Sequence, residues 1–206
     1  GAQTPVRVSE GTLRFDTTVR GVGSGKTFLA DGGTINFNAG DANNRAVEED
    51  TLLKAIAKGK IVVAGTNRFA TTTRALIDDA TLEASVSNGS HIKIAGLTLL
   101  NGGELYINHN ATDAYSNEGL LLLGDLVVEK GEATIRLLND NANRNMLVMA
   151  NDAKINVHAG AVLNSASPIT ATPVDNAYRK SLTLFKTGAG LWIQRVQLFN
   201  NKGNNQ

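Results

Sequence analysis

An all-β fold wound as a β-solenoid, with one short helical insertion, is what this sequence predicts, and three observations predict it. A strand–corner–strand unit recurs along the 206 residues. Inside each unit apolar and polar residues alternate with period two, the mark of a strand with one buried face. Like positions return after similar steps in two places, 22 residues from Leu13 to Ile35 and 20 from Ile135 to Ile155, while the other gaps are irregular, so insertions are expected to interrupt the coil. One such unit cannot bury its apolar face alone, so a chain that repeats it is expected to stack the copies.

The units run in order. The first is Val6–Phe15, with Glu10-Gly11 as its corner, and the second is Phe28–Phe37, turning at Asp31-Gly32-Gly33. Val86–Ile94 turns at Asn88-Gly89, Leu97–Ile107 at Asn101-Gly102-Gly103, and Leu126–Ile135 around Gly131. Two looser copies follow at Met149–Val157 and Leu182–Ile193. Leu13 and Phe15 flank Arg14, Ile35 and Phe37 flank Asn36, and Ile155 and Val157 flank Asn156, so each strand has an apolar and a polar face. Thr12 and Thr34 add β-branched positions that suit extended backbone. Gly, Asn and Asp stand where the chain must bend, because they tolerate positive φ. Each unit alone reads equally as a β-hairpin, for which Asn-Gly is the strongest short signal. A β-sandwich or jelly roll is therefore the competing architecture, and the spacing favours the solenoid.

Two interruptions are expected within a single domain covering 1–206. Residues 44–59 read as a helix: helix formers throughout, acids early, Lys late, Gly59 as a stop, and Val47, Leu52, Leu53 and Ile56 as an apolar stripe. Such a helix would lie on the solenoid flank or cover an open end. Residues 164–180, with Pro168 and Pro173 among Ser, Thr and Asn, read as a loop excursion.

Composition narrows the function classes. Lys+Arg 20 against Asp+Glu 19 gives a net charge of +1 with no basic stripe, which disfavours nucleic acid as a partner. The absence of Cys removes disulfides, zinc–thiolate sites and thiol catalysis together. It fits a bacterial secreted protein that crosses membranes unfolded, and equally many cytosolic proteins. No apolar run approaches the roughly 20 residues of a membrane span; the longest cluster, Leu120–Leu123, ends at once in Gly and Asp. No signal peptide opens the chain, and Gly1-Ala2-Gln3 reads as a processed end or a cloning scar.

The stretch Ser181-Leu182-Thr183-Leu184-Phe185-Lys186-Thr187-Gly188-Ala189-Gly190-Leu191-Trp192-Ile193 resembles the strand repeat of bacterial autotransporter passengers. That repeat has a short apolar run, Lys-Thr-Gly-Ala-Gly, then Thr-Leu-x-Leu. Lys186 to Gly190 match it; the Thr is missing, and Trp192 stands where a small or polar residue is usual. Glu10–Phe15 and Gly32–Phe37 look like passenger rungs too. The resemblance implies a right-handed parallel β-helix, secreted or on the bacterial cell surface, serving as an adhesin or a stalk. The membrane barrel of an autotransporter has no counterpart in these residues, so an isolated passenger segment or a free-standing relative is expected.

Motifs that could carry chemistry are weak. Gly21-Val22-Gly23-Ser24-Gly25-Lys26-Thr27 invites a phosphate-loop reading, but Arg20 occupies the first Gly position and Phe28–Gly33 cannot continue as a helix. His91, His109 and His158 are widely spaced, without metal-ligand pattern. Asn139–Asn145 lacks the Gly and terminal Glu of a calcium loop and contains Arg144. Asp78-Asp79 and Glu48-Glu49-Asp50 are the adjacent acids, and adjacency does not encode the gap that glycoside hydrolysis needs. No catalytic, cofactor-binding or metal-ligating residue is assigned, and no cofactor.

Three functions are weighed. The first is a structural or adhesive solenoid acting by display and contact on a host or neighbouring-cell surface, or on extracellular polysaccharide. The second is a homo-oligomer, a fibre or surface-layer subunit joined through its ends or by the strand Val6-Arg7-Val8. The third is a carbohydrate-active β-helix enzyme, which an acid cluster along one groove would favour.

Overall fold

The structure is a computed structural model that describes residues 4–16, 25–38, 47, 49–64, 69–86, 91–109, 119–137, 146–150, 153–167, 169–171 and 184–196. Strands follow one another in levels. The first two levels are β1 (Val6–Val8) with β2 (Thr12–Phe15), and β3 (Thr27–Asp31) with β4 (Thr34–Asn38). Next come β5 (Leu52–Ile56) with β6 (Lys60–Ala64), then β7 (Arg74–Asp78), β8 (Thr81–Val86) and β9 (His91–Ile94). The following level holds β10 (Gly96–Leu100), β11 (Glu104–His109) and β12 (Gly119–Leu122). It is followed by β13 (Leu126–Lys130), β14 (Glu132–Leu137) and β15 (Met146–Met149). The last are β16 (Lys154–Val157), β17 (Val162–Ser165) and β18 (Ile169–Ala171), then β19 (Phe185–Thr187) with β20 (Leu191–Gln194).

Among the described residues, consecutive strands do not pair with each other. One sheet stacks β1-β3-β5-β7-β10-β13-β16-β19, a second stacks β2-β4-β6-β8-β11-β14-β17-β20, and a third stacks β9-β12-β15-β18. Every pairing among the described strands is parallel, as between β1 and β3 or β2 and β4. A hairpin would be antiparallel, so the competing sandwich of hairpins is excluded and the chain is a parallel β-solenoid.

Register shows why the sequence folds this way. The inward row of the first sheet is Val6, Phe28, Leu53, Ala75, Leu97, Leu126, Ile155 and finally Lys186. That of the second sheet is Leu13, Ile35, Ile61, Leu82, Leu105, Ile135, then Ser165 and Gln194. From Phe28 to Ile155 and from Ile35 to Ile135 these side chains are buried and form one continuous core. Near the first levels the core is aromatic: Phe15 stacks on Phe37 at 5.1 Å, while Phe28 and Phe69 meet Phe37 edge-on. Between the first two sheets the corners are tight. A Cβ on Gly59 would fall 2.2 Å from the carbonyl oxygen of Ala30, and one on Gly103 2.4 Å from that of Ile77.

Three expectations need correction. The helix over 44–59 is not present in the described part of that segment: Leu52–Ile56 is β5, hydrogen-bonded between β3 and β7. Leu53 and Ala55 face the core while Leu52, Lys54 and Ile56 face outward, so the supposed helical stripe is divided between two faces of a strand. A helix this short is marginal alone, and propensity differences of a few tenths of a kcal/mol yield to two shared ladders and two buried side chains. Residues 44–46 and 48 lie outside the described residues; Val47 bridges Phe69 in parallel. The excursion at 164–180 also contains strand, since residues 164 and 165 close β17 and 169–171 form β18; residues 168 and 172–180 lie outside the described residues. Finally, Leu13 does stack on Ile35, but Ile135 stacks on Ser165 and Ile155 on Leu126, in the other sheet. The coil there advances by about 30 residues per circuit, against 23 from Leu82 to Leu105, the first circuit that includes a strand of the third sheet.

Candidate functional site

The outer wall of the second sheet carries a dense set of polar side chains. Alternation directs Leu105 and Ile107 inward and therefore Glu104, Tyr106 and Asn108 outward, and neighbouring strands repeat this in register. One outward row reads Thr12, Thr34, Lys60, Thr81, Glu104, Thr134. The next reads Arg14, Asn36, Val62, Glu83, Tyr106, Arg136.

Contacts between the rows run diagonally from level to level. Lys60 Nζ lies 2.5 Å from Glu83 Oε2, and Asn108 Nδ2 donates to Glu83 Oε1 at 3.2 Å. Glu104 accepts from both Nε and Nη2 of Arg136, the latter at 3.2 Å, and from Thr81 Oγ1 at 3.3 Å. The Arg136 guanidinium also lies over the Tyr106 ring, 4.1 Å from its centroid. The hydrogen bond to Glu104 raises the Arg136 pKa above its ordinary value, against a smaller opposing effect of burial.

At the corner between the first two sheets lies an open groove of about 310 Å³, lined by Lys58, Asp79, Ala80, Thr81, Gly102, Glu104 and Thr134. Lys58 and Asp79 form an ion pair across it, and both have positive φ, 63° and 49°. Asn101 Nδ2 donates to Asp78 Oδ1 at 2.8 Å. Thus both members of Asp78-Asp79 are bonded to a neighbouring level. Glu83 and Glu104 are likewise each engaged by a cation. Such pairing ties levels together; it differs from the two carboxyl groups facing each other across a sugar that glycoside hydrolysis uses. Tyr106, 9% exposed and covered by Arg136, offers no open ring face for stacking.

The other sequence candidates do not join this surface. His158 is exposed, with Nε2 3.3 Å from Asn156 Nδ2. His91 opens β9 and His109 closes β11, in different sheets, and only their backbone is described. Of Gly21–Thr27, residues 21–24 lie outside the described residues, as do 139–145; Gly25 turns at φ 73° and Thr27 begins β3. Among the described residues no three His, Asp or Glu side chains converge as a metal site, and no helix is long and apolar enough to cross a membrane. The diagonal pairs were invisible in the sequence because partners such as Glu104 and Arg136 stand 32 residues apart; only the true register brings them together.

Fold and surface together define a parallel β-solenoid whose outer wall is cross-linked by side chains. No family model matches the sequence, and neither a curated protein nor a solved structure matches it.

Proposed function

We propose that this chain is a structural or adhesive solenoid, displayed or released outside a bacterial cell and working by contact. The observation that carries the reading is the outer wall. On the wall and at its corner, charged side chains bridge neighbouring levels, through Lys60–Glu83, Glu104–Arg136 and Lys58–Asp79, which suits a stiff surface better than a reacting centre. Placement outside the cell rests on the likeness of Lys186-Thr187-Gly188-Ala189-Gly190 to autotransporter passenger rungs. In the structure these residues form the end of β19, a corner with Gly188 at φ 75°, and the approach to β20. The partner is a host or neighbouring-cell surface, or an extracellular polysaccharide. One experiment tests both contact and chemistry: the immobilised chain is offered intact cells and neutral and anionic polysaccharides, with retention and chain cleavage both recorded. Retention without cleavage is the expected result.

A carbohydrate-active enzyme is the second reading, favoured by the presence of Asp79 and Glu104 along one groove. Cleavage in the same experiment, abolished by Glu104→Gln, would replace the first reading with this one.

A further inference from the structure

Asn101-Gly102 lies in the corner between β10 and β11, and this pair of residues has a chemistry of its own. In an Asn-Gly sequence the backbone nitrogen of the glycine can attack the asparagine Cγ, because the glycine has no side chain to stand in the way. A bond forms from that nitrogen to Cγ, the Cγ–Nδ2 bond breaks, and ammonia leaves with the proton the backbone nitrogen gives up. Water then opens the cyclic imide at either carbonyl, leaving aspartate or isoaspartate at position 101.

The stacked corner holds both reacting groups. The Gly102 N–H donates to the Glu132 carbonyl oxygen at 2.6 Å, on the following level, and the Gly103 N–H to that of Leu100 at 2.7 Å. The Asn101 amide is fixed from the other side, with Nδ2 donating to Asp78 Oδ1 at 2.8 Å on the preceding level. The following level also presses on the Asn101 backbone, since a Cβ on Gly131 would fall 2.9 Å from Asn101 Cα. For the Gly102 nitrogen to lose its proton and reach Cγ, it must give up Glu132, and the amide must leave Asp78. Lack of water is not what holds the reaction back, because Asn101 and Gly102 are both exposed.

We propose that Asn101 is a latent deamidation site, shielded while the levels are stacked and opened when they separate, and that its conversion makes the separation permanent. An amide that donates to Asp78 becomes a carboxylate facing a carboxylate, and like charges at that distance repel. Isoaspartate fits less well still, because it adds a carbon to the main chain where the next level, at Gly131, leaves no room. Conversion therefore loosens β10 and β11 from the levels on either side, in the middle of the stack. This goes beyond the contact function above: it concerns how the stack ages, and holds whichever surface the walls bind.

Incubation of the full chain at mildly alkaline pH, native and in urea strong enough to abolish the β circular dichroism spectrum, tests the assignment. Peptide mass spectrometry reads the amide-to-acid mass shift at Asn101, and Asn88-Gly89, the same pair elsewhere in the sequence, sets the unfolded rate in urea. Asn101 should convert at least roughly ten-fold more slowly in the native chain than in urea, since only the opened fraction reacts. Equal rates in the two conditions would overturn the proposal, and this comparison needs no variant. Asn101→Asp should lower the urea midpoint, and adding Asp78→Asn should restore most of the loss by giving the new carboxylate an amide donor. An unchanged midpoint in the single variant, or no recovery in the double one, would overturn the claim that the converted residue keeps the levels apart.

Discussion

At the scale of single residues, alternation in register with the stack decides which substitutions matter. Leu105 is 0% exposed between Leu82 and Ile135, whereas the Arg14 side chain is 55% exposed and pairs with Asp16. Leu105→Asp buries a carboxylate with no cation opposite it and should cost several kcal/mol, roughly; Arg14→Asp should stay within about 0.5 kcal/mol. Urea midpoints of the two variants check this, and equal midpoints would mean the strand faces are assigned wrongly. Gly103→Val should behave like Leu105→Asp for a different reason, since its Cβ has no room beside the Ile77 carbonyl. Arg136→Ala removes a half-exposed ion pair worth at most about 1 kcal/mol. Because the guanidinium pKa is raised on folding, its stabilising charge is complete below the arginine range and fades only above it. Alkaline titration within ordinary working pH should therefore leave the Arg136 contribution unchanged.

Among elements, β5 carries the clearest lesson about what the sequence can say. Leu13, Ile35 and Leu105 were legible as core because each alternates with polar neighbours beside a Gly-bearing corner. Leu52-Leu53-Lys54-Ala55-Ile56 has apolar residues on both faces, so its period is ambiguous, and its corner uses Ala57 and Lys58 at φ 52° and 63° where Gly or Asn is usual. The strand is recognisable only from β3 and β7 on either side. Lys54→Thr distinguishes the two conformations: the β-branched residue should hold or raise the denaturation midpoint in an outward strand position and lower it in a helix. The third sheet was hidden for another reason. Leu120-Leu121-Leu122 and Met146–Met149 lack a polar alternation, and Leu121 and Val148 are buried on the face away from the main core.

For the whole molecule, the solenoid could be read from repetition, but its polar wall could not. Strand-to-strand steps had to be known before Lys60 could be placed by Glu83, or Glu104 by Arg136. A far-ultraviolet circular dichroism spectrum should accordingly be β-dominated with no helical share from residues 49–58; a helical component there would reopen the assignment of β5.

The coil's uneven pitch along the sequence also has a mechanical meaning. Hydrogen bonds between levels point along the stack, so tension applied through the two ends loads them one level after another instead of all at once. Each level that peels away frees the chain between stacked partners, 22 residues from Leu13 to Ile35 but 30 from Ile135 to Ser165. At roughly 3.4 Å per extended residue, single-molecule stretching should give increments of about 70 to 90 Å for the levels up to Leu105 and near 100 Å for those beyond it. The shorter steps would come from the β1–β2 end and the longer ones from the β19–β20 end, so the trace would report which end lets go first.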